Sequence, residues 1–194
     1  MKQKELFLLA DASLRSVVDQ ITPEQLELAV PAAWSRTAVP TLRGIIVLHA
    51  KDEAWVPDVL AGKTIEEVGD AWNGDLLGAD PVAAYDLLND AATAAVRRDI
   101  PAGTIVHLSY GDFPVEVFFE HTTYYRTFQS VGIANLIGVD DTLPGELVEG
   151  VWELVEPQLE ELRAIHVFGP EVPVPADANA QVRLLGKTGF YDPS

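Results

Sequence analysis

The chain contains no cysteine among its 194 residues. That absence excludes disulfide bonds, a cysteine nucleophile and any metal site built on thiolates. Any chemistry of this protein at sulfur would therefore use a thiol supplied from outside the chain.

Basic residues are also scarce: 13 lysines and arginines stand against 30 aspartates and glutamates, for a formal net charge of −17. A surface this acidic repels nucleic-acid phosphates and anionic lipids, and the densest basic cluster is the pair Arg97 and Arg98. No apolar run approaches the ~20 residues of a membrane span, and Asp11 and Arg15 interrupt the apolar residues near the amino terminus. We therefore expect a cytoplasmic protein with neither nucleic acid nor membrane as a partner.

Apolar residues recur with helical spacing in five segments. The predicted helices cover residues 6–21, 41–60, 81–96, 114–137 and 145–165, the last with an interruption at Pro157. One β-prone segment, 105–110, is too short and solitary for a sheet. The pattern predicts an all-α fold in a single domain over 1–194. Its helical bundle occupies about 1–166, and an extended tail, 167–194, ends in a short helix at 178–185 that Asp177 would cap.

Two of these segments carry the features of a known family. Residues 34–53 begin with Trp34 and place His49 on the apolar face of a helix, and residues 114–138 form the later helix. Together they resemble the DinB-like four-helix bundles, and specifically the amino-terminal domain of the actinobacterial mycothiol-dependent maleylpyruvate isomerases. The resemblance implies the same four-helix bundle, with His49 as one of three protein ligands to a divalent metal, zinc or nickel, that activates mycothiol.

The later helix departs from the family pattern where it should complete the metal site. The family has an acidic residue followed four positions on by a histidine, and Tyr125 and Gln129 stand at those positions. Val131-Gly132 replaces the family's adjoining Trp-Asp pair. Tyrosine and glutamine side chains are neutral at pH 7 and are poor zinc ligands. We therefore expect no cofactor, with His49 as the one position retained from the family's metal site.

His49 has two further interpretations. It forms a metal-free polar triad if its ring nitrogens hydrogen-bond to Gln129 or Tyr125, which is the interpretation we favour. It forms a relocated metal site if the helices pair in a register that brings it to Glu53 and His121.

The aromatic residues of the later helix also allow two interpretations. The run from Phe118 to Phe128 is typical of core packing, but with Gln129 and Gly132 it would line an apolar pocket if those two residues left room for a ligand. Asp52-Glu53 is a potential pair of catalytic carboxylates, although a solvated helix end explains it equally well.

Three functions are compatible with these residues. The favoured one is a small-molecule binding or regulatory protein, whose pocket lies between the second and fourth predicted helices and contains His49, Glu53, Tyr125 and Gln129. The second is a thiol-dependent transferase or isomerase using a divalent metal with mycothiol, as the resemblance implies. The third is a structural or stress-related protein that acts through an interface such as that of a homodimer.

Overall fold

A computed structural model describes residues 2–31, 34 and 40–192, so residues 1, 32–33, 35–39 and 193–194 of the predicted domain lie outside the described part. That part is mostly helical, which confirms the predicted fold class. The helices are α1 (Lys2–Val18), α2 (Leu42–Leu60), α3 (Ile65–Val68), α4 (Pro81–Val96), α5 (Val115–Ile137), α6 (Gly145–Val155), α7 (Leu159–Ala164) and α8 (Ala180–Thr188), and the strands are β1 (Ile105–Leu108) and β2 (Gly111–Pro114). None of the described helices has the length and apolarity needed to cross a membrane.

Local sequence signals account for where the long helices begin and end. The Thr41 hydroxyl accepts a hydrogen bond from the Gly44 amide at the start of α2, and Asp80 caps α4 in the same way through the Ala83 amide. At the end of α5, Gly138 adopts the left-handed conformation with φ of 73°, which costs glycine no steric strain.

A β-hairpin connects α4 to α5, and it corrects the prediction that 105–110 would have no partner strand. The strands pair antiparallel, in a register that starts with Ile105 opposite Pro114. The second strand, Gly-Asp-Phe-Pro, has low strand propensity, so its pairing depends on tertiary contacts that no local pattern reveals. The two-residue turn ends with Tyr110, whose side chain contacts His121 of α5.

The carboxyl-terminal segment packs into the core of the molecule. α6 ends at Val155 and a single 3-10 turn (Glu156–Gln158) leads into α7, so the predicted interruption at Pro157 is confirmed. Further along, Phe168, Leu184 and Leu185 are buried against side chains of α5 and α6.

The last helix differs from its prediction in position and cap. It begins two residues later than expected, and Asn179 rather than Asp177 caps it, because the Asn179 carboxamide oxygen accepts a hydrogen bond from the Val182 amide.

The four long helices α1, α2, α4 and α5 surround the core, and some pairs of them pack more extensively than others. α1 packs against α5 and α4, and α2 packs against α4. α2 and α5 contact each other mainly through long side chains, such as His49 against Tyr125 and Glu53 against Arg126. The space between these two helices is where a cleft opens. That the four helices form a bundle of the DinB-like kind stays a prediction.

Candidate functional site

Two adjoining cavities form a cleft beside α5. The first, which we call the α2 chamber, has a volume of about 570 Å³ and is lined by side chains that include Asp52, Trp55, Val56, Phe118 and Thr122. The second, the tail chamber, has a volume of about 410 Å³ and is lined by side chains that include Tyr124, Phe128, Gln129, Ile165, Phe168 and Phe190. Tyr110, His121 and Tyr125 line both chambers and therefore form the boundary between them.

Contacts between the hairpin and α5 hold two of the dividing side chains. The Tyr110 hydroxyl and His121 Nδ1 are 3.1 Å apart, within hydrogen-bond distance. Phe113 of β2 completes this group, with its ring centroid 5.3 Å from that of Tyr110 and 6.0 Å from that of His121. Burial lowers the pKa of His121, so its imidazole is neutral near pH 7. The hairpin that the sequence did not reveal thus supplies one wall of the cleft.

His49 lies directly behind Tyr125. The two rings are stacked, with centroids 4.7 Å apart and an interplanar angle of 26°. His49 is buried, and neither ring nitrogen has a hydrogen-bond partner among the described residues. Burial, helped by the nearby Arg126 cation, lowers the pKa of His49 to about 3, while the neighbouring Gln129 side chain opposes the shift without reaching hydrogen-bonding geometry. The imidazole is therefore neutral. The predicted hydrogen-bonded triad is not formed, because Tyr125 presents its ring face to His49 and Gln129 does not reach hydrogen-bonding geometry.

Tyr125 and Gln129 lie on one face of α5, as their spacing predicted, and both line the cleft. The Tyr125 side chain is 37% exposed, and burial together with the nearby Asp52 carboxylate raises the pKa of its phenol. Gln129 is only 8% exposed, and its Oε1 has no hydrogen-bond partner among the described residues. Both side chains are neutral near pH 7, so they are suited to hydrogen bonding and contact rather than to proton transfer.

Glu53, the remaining predicted pocket residue, points into the core and does not line either chamber. Its Oε1 is 2.8 Å from Arg126 Nη2 and accepts a hydrogen bond of 3.1 Å from the Tyr85 hydroxyl. Arg126 Nη1 lies 2.9 Å from Asp11 Oδ1, and the Thr93 hydroxyl donates to Asp11 Oδ2 at 2.7 Å. These contacts of Arg126 are close ion pairs in which the N–H groups are not aimed directly at the oxygens.

The buried network holds more carboxylates than cations. Burial raises the pKa of Glu53 to about 8, and the interaction with Asp11 adds to this effect while Arg126 opposes it. With Glu53 protonated near pH 7, Arg126 and Asp11 form one ion pair and the network carries no net charge. Glu53 is therefore a structural residue of the core, in contrast to its predicted role in the pocket.

Sequence reasoning missed this network although a signal for it exists. Asp11 lies among the buried apolar residues of α1, and Arg126 lies within the aromatic run of α5. Charged residues of opposite sign on two apolar helix faces indicate a buried ion pair, because a lone buried charge is too costly. The Arg126 guanidinium also lies 4.3 Å from the ring centroid of Phe7, at cation–π distance.

The described residues do not fit the metal of the resembled family. Within 2–31, 34 and 40–192, no group of three or more histidine, cysteine, aspartate or glutamate side chains is placed to hold a metal ion. The relocated site is wrong because Glu53 pairs with Arg126 and His121 contacts Tyr110. His49 has Tyr125 and Gln129 beside it, whose neutral side chains are weak zinc ligands.

The sequence suggested that Gly132 leaves room for a ligand, but the indole of Trp34 occupies the space above it. A Cβ at Gly132 would lie 2.5 Å from Trp34 Cζ2 and 2.8 Å from Cη2. The glycine therefore permits the close approach of the indole to α5.

Asp52, which the sequence suggested as half of a carboxylate pair with Glu53, lines the α2 chamber. Successive helical residues are rotated by about 100°, so Asp52 faces the chamber while Glu53 faces the core, and the two do not form a carboxylate pair. Its side chain is exposed to solvent through the cleft. Partial desolvation by the chamber walls raises the pKa of Asp52 to about 6, against the opposing effects of Arg126 and Lys51.

Comparison with known proteins adds no relative from which a function could be transferred. The sequence matches no protein-family model, and neither a curated protein nor a solved structure is significantly similar to it.

Proposed function

We propose that this protein binds a small, largely apolar molecule in the cleft beside α5. The observation that carries the proposal is the pair of adjoining chambers, about 570 and 410 Å³ in volume, which share Tyr110, His121 and Tyr125 in their walls. Concave sites of this size, with mostly apolar walls and a few polar groups, are typical of small-molecule binding.

An unsatisfied polar atom in the wall of the tail chamber supports the proposal. Gln129 lines that chamber, and its Oε1 is buried without a partner among the described residues. A buried polar atom without a partner costs about 1–3 kcal/mol, and a ligand that donates a hydrogen bond to Gln129, once its side chain turns into the chamber, would remove that cost.

Membership of the DinB-like family belongs to this proposal as well. It is supported by the way His49 of α2 meets Tyr125 and Gln129 of α5, which are the positions that the resemblance singles out. A binding or regulatory role suits these residues better than metal-dependent thiol chemistry, because the donor set for a metal is incomplete.

The experiment measures binding of Nile red, a neutral apolar dye whose fluorescence rises in an apolar site. Two variants fill the cleft: Thr122→Trp in the α2 chamber and Ile165→Trp in the tail chamber. Leu87→Trp is the control, because Leu87 lies on α4 and is 72% exposed. We expect saturable binding that at least one filling variant weakens roughly tenfold and that the control leaves unchanged. Equal binding by all four proteins, or no saturable binding, would contradict the proposal.

A further inference from the structure

The charged groups around the α2 chamber differ in whether they already have a partner. Lys51 Nζ donates to Asn73 Oδ1 at 2.7 Å, and His107 Nδ1 lies 2.7 Å from Asp112 Oδ1. Asp52 makes no hydrogen bond or ion pair with the other described residues. The chamber therefore contains one carboxylate without a direct hydrogen-bond or ion-pair partner among the described residues, although Lys51 of the same wall and the buried Arg126 act on its charge at longer range.

Aromatic rings share the α2 chamber with this carboxylate. Trp55, Phe118, Tyr110 and Tyr125 line it together with Asp52. The face of an aromatic ring carries partial negative charge and attracts organic cations within about 6 Å of its centroid. Aromatic rings together with a carboxylate are the chemistry that recognises substituted ammonium groups, because the rings replace part of the ion's weak hydration and the carboxylate supplies the charge.

We propose that the α2 chamber binds an organic ammonium ion, with Asp52 as its counter-charge and the aromatic side chains around its alkyl or aryl groups. This inference rests on the proposed function of the cleft as a small-molecule site and names the class of ligand that enters it.

The charge distribution disfavours an organic anion. Of the two cations that act on Asp52, Arg126 is buried and committed to Asp11 and Glu53, whereas Lys51 lines the chamber beside the opposing charge of Asp52. The net charge of −17 also raises the local concentration of cations and disfavours anions. A bare metal ion is disfavoured too, because Asp52 would be its single charged ligand among the described residues.

The test compares two probes of nearly the same shape: phenyltrimethylammonium, which is charged, and tert-butylbenzene, which is not. Binding of each is measured by displacement of Nile red and by quenching of tryptophan fluorescence, since Trp55 lines the chamber. The variants are Asp52→Asn and, as a matched control, Glu149→Gln, which removes an exposed carboxylate of α6. We expect Asp52→Asn to weaken phenyltrimethylammonium binding roughly tenfold and to leave tert-butylbenzene unaffected, with the control equal to wild type.

The outcomes separate this inference from the proposed function. If tert-butylbenzene binds but phenyltrimethylammonium does not, the cleft is a small-molecule site and the ammonium inference is wrong. The same holds if both bind and Asp52→Asn changes neither affinity or changes both equally. If neither probe binds and Nile red does not bind either, the proposed function fails together with the inference.

Discussion

Replacing Glu53 with glutamine tests whether the core of this protein holds a proton at neutral pH. Glu53 is completely buried beside Arg126 and Tyr85, and its pKa is raised to about 8 from an ordinary value of 4.5. Between these two values the folded state binds a proton that the unfolded state has released. The free energy of unfolding must therefore fall as pH rises through this range, and the stabilisation due to the proton is lost above pH 8.

The magnitude follows from the number of protons exchanged. One full proton changes stability by about 1.4 kcal/mol per pH unit, so partial titration between pH 7 and pH 8 costs about 1 kcal/mol. This window isolates Glu53 because the other large shifts act outside it, and those of Tyr85, Tyr124 and Tyr125, whose pKa values are raised from 10, act above it. The pKa of His49 is lowered to about 3 from 6.5, and that of Asp52 is raised to about 6 from 3.8, so their effects are almost constant above pH 7.

Glutamine keeps a carbonyl oxygen that accepts the hydrogen bond from Tyr85 and lies beside Arg126, but it does not titrate. Urea unfolding followed by circular dichroism at pH 7.0, 7.5 and 8.0 measures the stabilities. We expect the Glu53→Gln variant to be as stable as wild type at pH 7 and to keep that stability at pH 8, where wild type has lost about 1 kcal/mol. Glu149→Gln is the control and keeps the wild-type slope, because Glu149 is exposed.

Two results would refute this reasoning. A wild-type protein whose stability does not change between pH 7 and pH 8 would show that Glu53 is already ionised at pH 7. A loss of about 3–5 kcal/mol in Glu53→Gln at pH 7 would show the same, because that is the cost of breaking a buried ion pair.

Two further substitutions test the surroundings of the cleft. Gly132→Ala places a Cβ 2.5 Å from the indole of Trp34 and is expected to lower the free energy of unfolding by about 1–3 kcal/mol. Gly145→Ala is the control and should change the free energy of unfolding little, because no atom lies within 4 Å of its new Cβ. Equal effects of the two substitutions would show that the indole moves aside freely. His49→Phe keeps a ring against Tyr125 and removes a group whose low pKa costs stability as pH falls below 6.5. The difference in free energy of unfolding between the variant and wild type should shift by about 1–2 kcal/mol in favour of the variant when the pH is lowered from 7.5 to 5. A large loss of stability at both pH values would instead indicate that His49 has a bound partner.

The helices were predictable because each is encoded by its own residues. Apolar spacing located α1, α2, α4 and α5, and local signals such as the Asp80 cap and Gly138 located their ends. The hairpin was not predictable, because the second strand has no β-branched residue and depends on β1 for its hydrogen bonds.

The candidate site was predictable only in part. Spacing placed Tyr125 and Gln129 on one face of α5, and the apolar neighbours of His49 predicted its burial. The orientation of His49 against Tyr125 was not predictable, because it depends on how far apart α2 and α5 lie. That distance depends on side chains from several helices, including the buried pair of Arg126 and Glu53.

The neighbouring carboxylates of α2 connect the core to the chemistry of the cleft. Glu53 turns inward and, with Asp11, occupies Arg126, so this buried cation does not reach a molecule in the α2 chamber. Asp52, one residue earlier and about 100° around the helix, faces the chamber without a direct ion-pair partner among the described residues, while Lys51 of the same wall donates to Asn73. If Arg126 were free, Asp52 would be its natural partner. The ion pair in the core therefore leaves the Asp52 carboxylate, rather than an arginine–aspartate pair, in the chamber wall, where it would contact a cationic ligand directly.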